Sequence, residues 1–239
     1  MIIQGVTLNN VGFVQDQQPF VTSGALLYLD AGNTLSYPGT GTTWTDLSTN
    51  TNDATIVGSP TFTSSVTASY FTFPNDTNKY ATTPYTKYSG TYTGKTTFFV
   101  VRMDAGVADG YHAMFGTAGG NRTFNTYIYK SGSNYQIHGS FGSGASLSNV
   151  LALTTNQWFT CGITQDASGN MTSYFNGSAV GVATGQTLGT TYNGTDAQLV
   201  SKSDNFWHGD IAVAFVYGRA LSSAEMSQNH AAVRTRYGI

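Results

Sequence analysis

The amino-acid sequence predicts an all-β fold in which two antiparallel sheets form a sandwich around one core. Many short segments alternate apolar and polar residues with a period of two, and they are rich in β-branched and aromatic residues. Clusters of glycine, serine and asparagine separate these segments, and a single stretch close to the end has helical spacing. Short strands with regular turn signals and little helix are typical of this architecture.

Eight segments have the strand pattern, and turn signals connect several of them. The pair Asn176-Gly177 predicts a hairpin with a type I′ turn, because both residue types tolerate positive φ angles. Residues 166–170 predict a second turn, which joins the strand at Trp158 to the strand at Met171. The predicted strands comprise residues 25–29, 70–73, 96–103, 124–129, 135–138, 158–164, 171–175 and 211–217.

One helix is predicted, at about residues 223–236. Ser222 and Glu225 have the spacing of a capping box, in which the Ser222 hydroxyl accepts from the amide of residue 225 and the Glu225 carboxylate accepts from the amide of Ser222. Met226 begins an apolar stripe at helical spacing, so one face is expected to pack on the edge of the sandwich. His230 lies on that face, where we favour a packing role over metal ligation.

Residues 1–22 differ from the rest and are interpreted as an extended N-terminal arm that precedes one domain, residues 23–239. Pro19 breaks any strand ladder, and the segment before it is polar, yet residues 1–14 are too apolar for a tail meant to stay in water. We favour an arm that adds a strand to a neighbouring subunit, with a frayed terminus as the alternative. The segment lacks the basic region and the continuous apolar core of a secretory signal.

Composition excludes several classes of protein. Charged residues make up 9% of the chain and the net charge is −2, so the basic surface of a nucleic-acid binder is absent. No apolar run approaches the roughly 20 residues that cross a bilayer. The single cysteine, Cys161, rules out an internal disulfide, and its alternating neighbours predict a buried thiol. We therefore expect neither a nucleic-acid partner nor a membrane partner.

Several segments, taken in order, resemble laminin-G-like domains, which are concanavalin A-like jelly rolls. The resemblance covers about residues 23–239 and implies a jelly-roll sandwich. The segments that carry it are residues 26–33, 44–48, 52–55, 71–73 with 80–81, 158–177, 206–211 and 216–225.

The recurring residues of these segments are interpreted as determinants of the fold rather than as a binding site. Asp46 suits a turn in which side-chain oxygens replace backbone partners, and Gly209 suits a strand entry beside another backbone. The structural positions are Trp44, Asp46, Trp158, Asn176, Gly177, Gly209, Ser222 and Glu225.

Glucanases share this fold, and a glucanase of this type would carry catalytic carboxylates. Glycoside hydrolysis usually needs two carboxylates, but the sole glutamate is Glu225, and no suitable pair of aspartates lies on a predicted strand. Residues 90–96 approach a phosphate loop, but the glycine spacing is one residue short and a strand follows where a helix is required. The histidines lack metal-ligand spacing. No enzymatic activity and no cofactor are expected.

Relatives of this fold hold calcium at the sandwich rim and carbohydrate on a concave face. Turn-capping roles are favoured over calcium ligation for the residues with suitable oxygens, and the metal site stays unassigned. Tyrosines could stack on sugar rings, although alternate residues of their strands must fill the core. The calcium candidates are Asp30, Asn33, Asp204, Asn205 and Asp210, and the tyrosines are Tyr127, Tyr129 and Tyr135.

Two functions are carried forward. The low charge, the absence of disulfides, the plentiful threonine, serine, asparagine and glycine, and the apolar arm resemble structural proteins of tailed bacteriophages. The first hypothesis is a virion protein, made in the host cytoplasm, that decorates the capsid or another particle surface and is attached to virion proteins or sister subunits through residues 1–22. The alternative is a lectin-like module, with or without calcium, that recognises a host surface glycan.

Overall fold

A computed structural model describes residues 19–65, 68–74, 78–84, 92–117, 124–142, 146–187, 196–199, 201–202 and 205–239. These ranges contain eighteen strands and one helix, α1, at Ser223–Tyr237. The strands are β1 (Ala25–Asp30), β2 (Thr43–Trp44), β3 (Ala54–Val57), β4 (Thr61–Thr63), β5 (Tyr70–Phe73), β6 (Tyr80–Pro84), β7 (Lys95–Met103), β8 (Gly110–Thr117), β9 (Asn125–Ser131), β10 (Asn134–Ser140), β11 (Ser146–Leu151), β12 (Trp158–Gln165), β13 (Met171–Phe175), β14 (Ser178–Ala183), β15 (Asp196–Leu199), β16 (Ser201–Lys202), β17 (Asn205–Phe206) and β18 (Gly209–Tyr217).

The strands form two antiparallel eight-stranded sheets, as the sequence predicts. The first sheet has the order β14-β13-β12-β7-β18-β5-β4, and β1 also pairs with β18. The second sheet has the order β11-β10-β9-β8-β15-β6-β3-β2, while β16 and β17 form a separate ribbon. The main core lies between the two sheets and includes Phe99, Ile128 and Ile137.

The first sheet is also covered on its outer face. There Phe98, Val100 and Phe215 pack under α1, through the buried side chains of Met226 and Val233. Consecutive residues of β7 and β18 are therefore buried on both sides, which explains the apolar runs at residues 98–101 and 211–217. No helix within the described ranges is long and apolar enough to cross a membrane.

The end of the predicted arm is part of the packed domain. Val21 donates its amide to Oδ1 of the buried Asn229 at 2.8 Å, and its carbonyl accepts from the Tyr217 hydroxyl at 2.7 Å. The Phe20 ring meets the Tyr28 ring edge-on, with centroids 5.5 Å apart. Phe20 and Val21, the last apolar residues of the predicted arm, therefore contribute to the packing of the domain. Residues 1–18 of the predicted arm lie outside the described residues.

Helix α1 begins with the predicted capping box. Ser222 Oγ accepts from the Glu225 amide at 3.3 Å, and Glu225 Oε2 accepts from the Ser222 amide at 2.8 Å. Arg219 adds two hydrogen bonds to the same carboxylate, of 2.6 and 3.1 Å. His230 packs against the turn at Gly177, and its Nδ1 forms a hydrogen bond of 3.0 Å with Thr160 Oγ1. Its role in the described residues is therefore packing.

All eight predicted strands are present, and the sequence missed the more polar ones. Strands β2, β3, β4 and β11 are short and rich in threonine, serine or small residues, while β8 contains two glycines. Their period-two signal is weak because few large apolar side chains mark the inward positions. Cys161 is buried, as predicted, and burial raises the pKa of its thiol.

The buried Asp46 carboxylate orders the segment that follows β2. It accepts hydrogen bonds from the amides of Tyr28, Ser48 and Asn52 and from the Ser48 hydroxyl, at 2.7–2.9 Å. Asp46 therefore connects β1 to the 45–52 loop. The donors that it accepts from are shielded from water, so no water molecule would take its place as acceptor.

We predict that Asp46→Ala lowers the free energy of unfolding by about 3 kcal/mol, because buried donors that lose their acceptor cost about 1–3 kcal/mol each. Urea unfolding measures the change. Asp53→Ala is the matched control, since the exposed Asp53 accepts one hydrogen bond, from the Asp46 amide; its loss should cost less than about 1 kcal/mol. Equal effects of the two substitutions would contradict the role given to Asp46.

We also predict that the Arg219–Glu225 pair makes stability depend on pH in acid. Hydrogen bonds from Arg219 lower the pKa of Glu225 from 4.5 to about 2 in the folded chain. The contribution is therefore complete above the unfolded value of 4.5 and is lost as the pH falls from 4.5 to about 2. Urea unfolding of Glu225→Gln should show a deficit at about pH 6 that shrinks towards about pH 2. Arg219→Met should behave in the same way, and a deficit independent of pH would contradict the assignment.

Candidate functional site

The outer face of the second sheet carries a cluster of aromatic side chains. Antiparallel register places Tyr111 of β8 opposite Tyr129 of β9, and Tyr127 of β9 opposite His138 of β10. Because successive side chains of a strand point to opposite faces, Ile128 between the two tyrosines of β9 fills the core while they point outward. We call the four residues Tyr111, Tyr127, Tyr129 and His138 the tyrosine face.

The rings of the tyrosine face are in mutual contact. The centroid of Tyr111 lies 4.7 Å from that of Tyr129, 5.7 Å from that of Tyr127 and 5.4 Å from that of His138. Tyr111 is 42% exposed, Tyr129 and His138 are half-buried and Tyr127 is buried. The Tyr111 ring thus packs against three aromatic neighbours and forms a platform at the solvent.

Polar groups border the platform. Gln136 lies opposite Tyr129 in the β9–β10 pair, and its Oε1 accepts from the Ser148 hydroxyl at 2.7 Å. At the other end, Lys130 Nζ is 2.6 Å from Asp109 Oδ1, and the Asp109 carboxylate also accepts from the Gly132 amide. The hydrogen bond from Lys130 lowers the pKa of Asp109, so this carboxylate stays charged.

The arrangement suits a ligand with one apolar face and several hydroxyl groups. Tyrosine has an apolar ring and a polar tip, which makes it effective at sites that are partly wet. In the part of the chain that the structure describes, neither the Tyr111 hydroxyl nor the Tyr129 hydroxyl makes a hydrogen bond, and both are available to a ligand. Gln136 adds an amide donor beside them.

The sequence identified part of this face. Tyr127 and Tyr129 lie on it, whereas the third candidate, Tyr135, was wrong: it packs against the core, because positions 135 and 137 of β10 point inward. Tyr111 was missed because its strand contains glycine and has a weak pattern. His138 could have been found from the alternation of its predicted strand: if Ile137 points inward, Gln136 and His138 point outward.

The calcium candidates have structural partners. Asp30 receives two hydrogen bonds from Arg236, at 2.9 and 3.0 Å, and one from the Gly32 amide. Asp210 is bonded to Arg102 Nε at 2.5 Å and to the Thr72 hydroxyl at 2.6 Å.

Asn33 accepts from the Leu35 amide at 3.0 Å through its side-chain oxygen. Asp204 lies outside the described residues, as does the side chain of Asn205. Among the described residues, no three or more histidine, cysteine, aspartate or glutamate side chains cluster as a metal site would require.

The positions interpreted as structural have local roles that the geometry makes explicit. Trp44 is fully buried and packs on Phe71, with centroids 4.7 Å apart. A Cβ at Gly209, whose φ is 141°, would lie 2.1 Å from the Arg102 carbonyl oxygen. Asn176 and Gly177 have φ values of 47° and 75°, as the predicted type I′ turn requires.

The segment that approaches a phosphate loop has a different role. Lys95 is fully buried in β7, where its Nζ is 3.3 Å from the Phe141 carbonyl oxygen and 5.4 Å from the centroid of the Phe124 ring. Burial lowers the pKa of Lys95 to about 8. Thr96 Oγ1 donates to the Arg219 carbonyl and accepts from the Leu221 amide. These side chains are therefore engaged inside the domain.

Comparison with protein families gives one match. Residues 63–227 match the model described as the concanavalin A-like lectin/glucanases superfamily, which is more than half of the chain. No curated protein matches the chain in sequence.

Solved structures provide further likenesses. Domain 4 of an extracellular arabinanase from Geobacillus stearothermophilus, in complex with arabinotriose, has a TM-score of 0.64 and 15% identity, over 86% of this chain and 98% of that domain. The binding domain of botulinum neurotoxin DC, in complex with SialylT, has a TM-score of 0.67 and 12% identity, over 89% of this chain and 52% of that one. The binding domain of Paraclostridial Mosquitocidal Protein 1 has a TM-score of 0.66 and 14% identity, over 87% of this chain and 52% of that one. The chain spans about half the length of these toxin domains, and at such identities the likeness shows the fold.

Proposed function

Because the chain belongs to the concanavalin A-like lectin/glucanases superfamily, we propose that it is a glycan-binding module whose tyrosine face holds a sugar ring. The observation that carries the proposal is the contact cluster of Tyr111, Tyr129 and His138 on the outer face of an open sheet. Sugar rings present C–H groups on one face and hydroxyls at their edge. The ring of Tyr111 contacts the C–H face, while the Tyr111 and Tyr129 hydroxyls and Gln136 bond the edge.

Among the similar structures, the arabinanase domain supports this proposal most directly. That domain was solved with arabinotriose, and the match covers 98% of it. A neurotoxin binding domain was solved with SialylT, but the chain spans about half of it, so the match is less direct. We use arabinotriose as the first probe, with glycans of host surfaces as the proposed natural class of ligand.

The module is proposed to bind without hydrolysing its ligand. The glutamate that a glucanase would need is absent from the tyrosine face, since the sole glutamate, Glu225, caps α1 and pairs with Arg219. Asp109, the carboxylate beside the face, is bonded to Lys130 and to the Gly132 amide. A pair of free carboxylates, which glycoside hydrolysis usually requires, does not occur among the described residues of the face.

Binding is also proposed to be independent of calcium. Asp30 and Asp210 are neutralised by arginines and lie on the first sheet, whereas the tyrosine face is on the second. A chelator should therefore leave the affinity for glycans unchanged. This distinguishes the tyrosine face from lectin sites in which the metal holds the sugar.

We predict that Tyr111→Ala weakens arabinotriose binding about tenfold or more, which corresponds to about 1.4 kcal/mol of lost stacking and hydrogen bonding. Isothermal titration calorimetry with and without EDTA measures the affinity and the effect of calcium together. Tyr111→Phe keeps the ring and should retain most of the affinity. Tyr135→Phe is the matched control on the same sheet, because Tyr135 packs on the core. Unchanged binding by Tyr111→Ala would refute the site.

As a second function we propose that the module is a surface component of a bacteriophage virion, attached to other virion proteins or to sister subunits through its N-terminal segment. Residues 1–14 include Ile2, Ile3, Val6, Leu8 and Phe13, an apolar content that suits an interface. The anchor at Pro19 and Val21 joins this segment to the domain beside α1, where Gln228 donates to the Pro19 carbonyl. A glycan-binding particle protein would combine both functions.

We predict that removal of residues 1–18 converts an oligomer to a monomer and leaves the melting temperature of the domain unchanged. Light scattering measures the mass, and calorimetry measures the melting transition. Removal of residues 1–22 is the contrasting variant: it should also lower the melting temperature, because it takes away the buried contacts of Phe20 and Val21. An oligomer that persists without residues 1–18 would refute attachment through this segment.

A further inference from the structure

We infer that a second sugar site, specific for neutral saccharides, lies at the C-terminal end of α1, on the opposite side of the sandwich from the tyrosine face. A cleft of about 450 Å³ is formed there by Asn156, Gln157, Trp158, Asn176 and Tyr237, with the backbone of residues 238–239. We call it the helix-end cleft. Its volume lies in the range of small-ligand sites, about 300–1,000 Å³. The inference rests on the proposed glycan-binding function and extends it to a second face.

The cleft combines aromatic surface with uncharged hydrogen-bonding groups. Trp158 and Tyr237 are in contact, with ring centroids 4.8 Å apart, and three carboxamide side chains surround them. None of the side chains that line the cleft is charged. A ligand with an apolar face and many neutral oxygens fits side chains of this kind.

The carboxamides are oriented so that donors remain for a ligand. Asn156 Oδ1 accepts from the Ala105 amide, and Asn176 Oδ1 accepts from the Thr160 amide, both at 3.0 Å. Within the described ranges, their Nδ2 groups, the Gln157 side chain and Trp158 Nε1 make no hydrogen bond. The cleft therefore offers mainly N–H donors, which match the hydroxyl and ring oxygens of a saccharide.

The aromatic wall of the cleft is held in place before any ligand arrives. The Arg102 guanidinium lies 5.2 Å from the Trp158 ring centroid, and Tyr70 meets the same indole edge-on, also at 5.2 Å. Arg102 is in turn fixed by Asp210 and by the Tyr70 hydroxyl. Such pre-organisation lowers the entropy lost on binding, and it makes Trp158 the residue that stacks on the sugar.

A second described cleft of similar volume, about 460 Å³, lacks these features. Thr22 and residues 24–26 and 47–50 line it, with Leu26 and Leu47 as its large apolar side chains and no aromatic residue. Its carboxamide, Asn50, already donates to the Ala25 carbonyl at 2.8 Å. Of these two clefts in the described residues, the helix-end cleft has both a stacking surface and available donors.

Tryptophan fluorescence reports this cleft selectively. Of the three tryptophans, Trp44 and Trp207 are 0% exposed, while Trp158 is half-buried and lines the cleft. Acrylamide quenching of the full chain should therefore act mainly on Trp158. The probes are maltotriose, cellotriose, xylotriose and arabinotriose, with sialyllactose as the charged saccharide.

We expect at least one neutral trisaccharide to lower the acrylamide quenching constant about twofold, in the unmodified chain and equally in Tyr111→Ala. Gln157→Ala should lower the affinity for that saccharide about fivefold, so that about fivefold more saccharide is needed for the same protection. Loss of a hydrogen bond worth about 1 kcal/mol predicts this change. The melting temperature should stay the same. Trp158→Phe keeps a stacking ring and should bind by calorimetry with reduced affinity. Thr61→Ala, an exposed position on the far edge of the same sheet, is the matched control and should have no effect.

The outcomes separate this site from the tyrosine face. If no saccharide of the panel protects Trp158 while calorimetry still detects binding that depends on Tyr111, the second site is refuted and the proposed function stands. Protection that disappears in Tyr111→Ala would indicate one site and refute two. Stronger protection by sialyllactose than by every neutral probe would refute the assignment to neutral sugars. Absence of both signals would overturn the second site and the proposed function together.

Discussion

Burial of the first sheet on both faces is the constraint on which the rest of the structure depends. Strands β7 and β18 are apolar at consecutive positions, so one cover is not enough to remove them from water. The second sheet covers the inner face, and α1 with Phe20 and Val21 covers the outer face. The buried Asn229 satisfies the Val21 amide and the Tyr217 hydroxyl within that second layer. The positions of α1 and of residues 20–21 are thereby determined by the same requirement.

This asymmetry decides where binding surfaces can lie. The cover on the first sheet extends as far as the end of α1, where Trp158 emerges between Arg102 and Tyr237 and borders a cleft. The second sheet has no described helix on its outer face, and there the register of β8, β9 and β10 brings tyrosines and a histidine into contact. One surface is thus a product of strand pairing, and the other is a product of where a helix ends.

The small number of charges has a consequence for both surfaces. With 9% charged residues, the chain uses arginine–carboxylate pairs mainly as internal ties: Arg236 holds Asp30, Arg102 holds Asp210 and Arg219 holds Glu225. These pairs lock α1 and the strand ends to the sandwich, and they leave the tyrosine face and the helix-end cleft lined mostly by neutral groups. Neutral, hydroxyl-rich ligands suit such surfaces better than strongly charged ones.

Local sequence is enough to predict the all-β sandwich, the positions of the apolar strands, the hairpin at Asn176-Gly177 and the capping box at Ser222, because each depends on neighbours within a few residues. It also placed Tyr127 and Tyr129 as possible contacts for a sugar. The tertiary structure alone decided that Tyr111 joins them, that Tyr135 points inward and that Arg236 holds Asp30 across 206 residues. Local pattern gives the parity of a side chain within its strand, but which strands become neighbours, and which face remains open, depends on how both layers of apolar surface are buried at once.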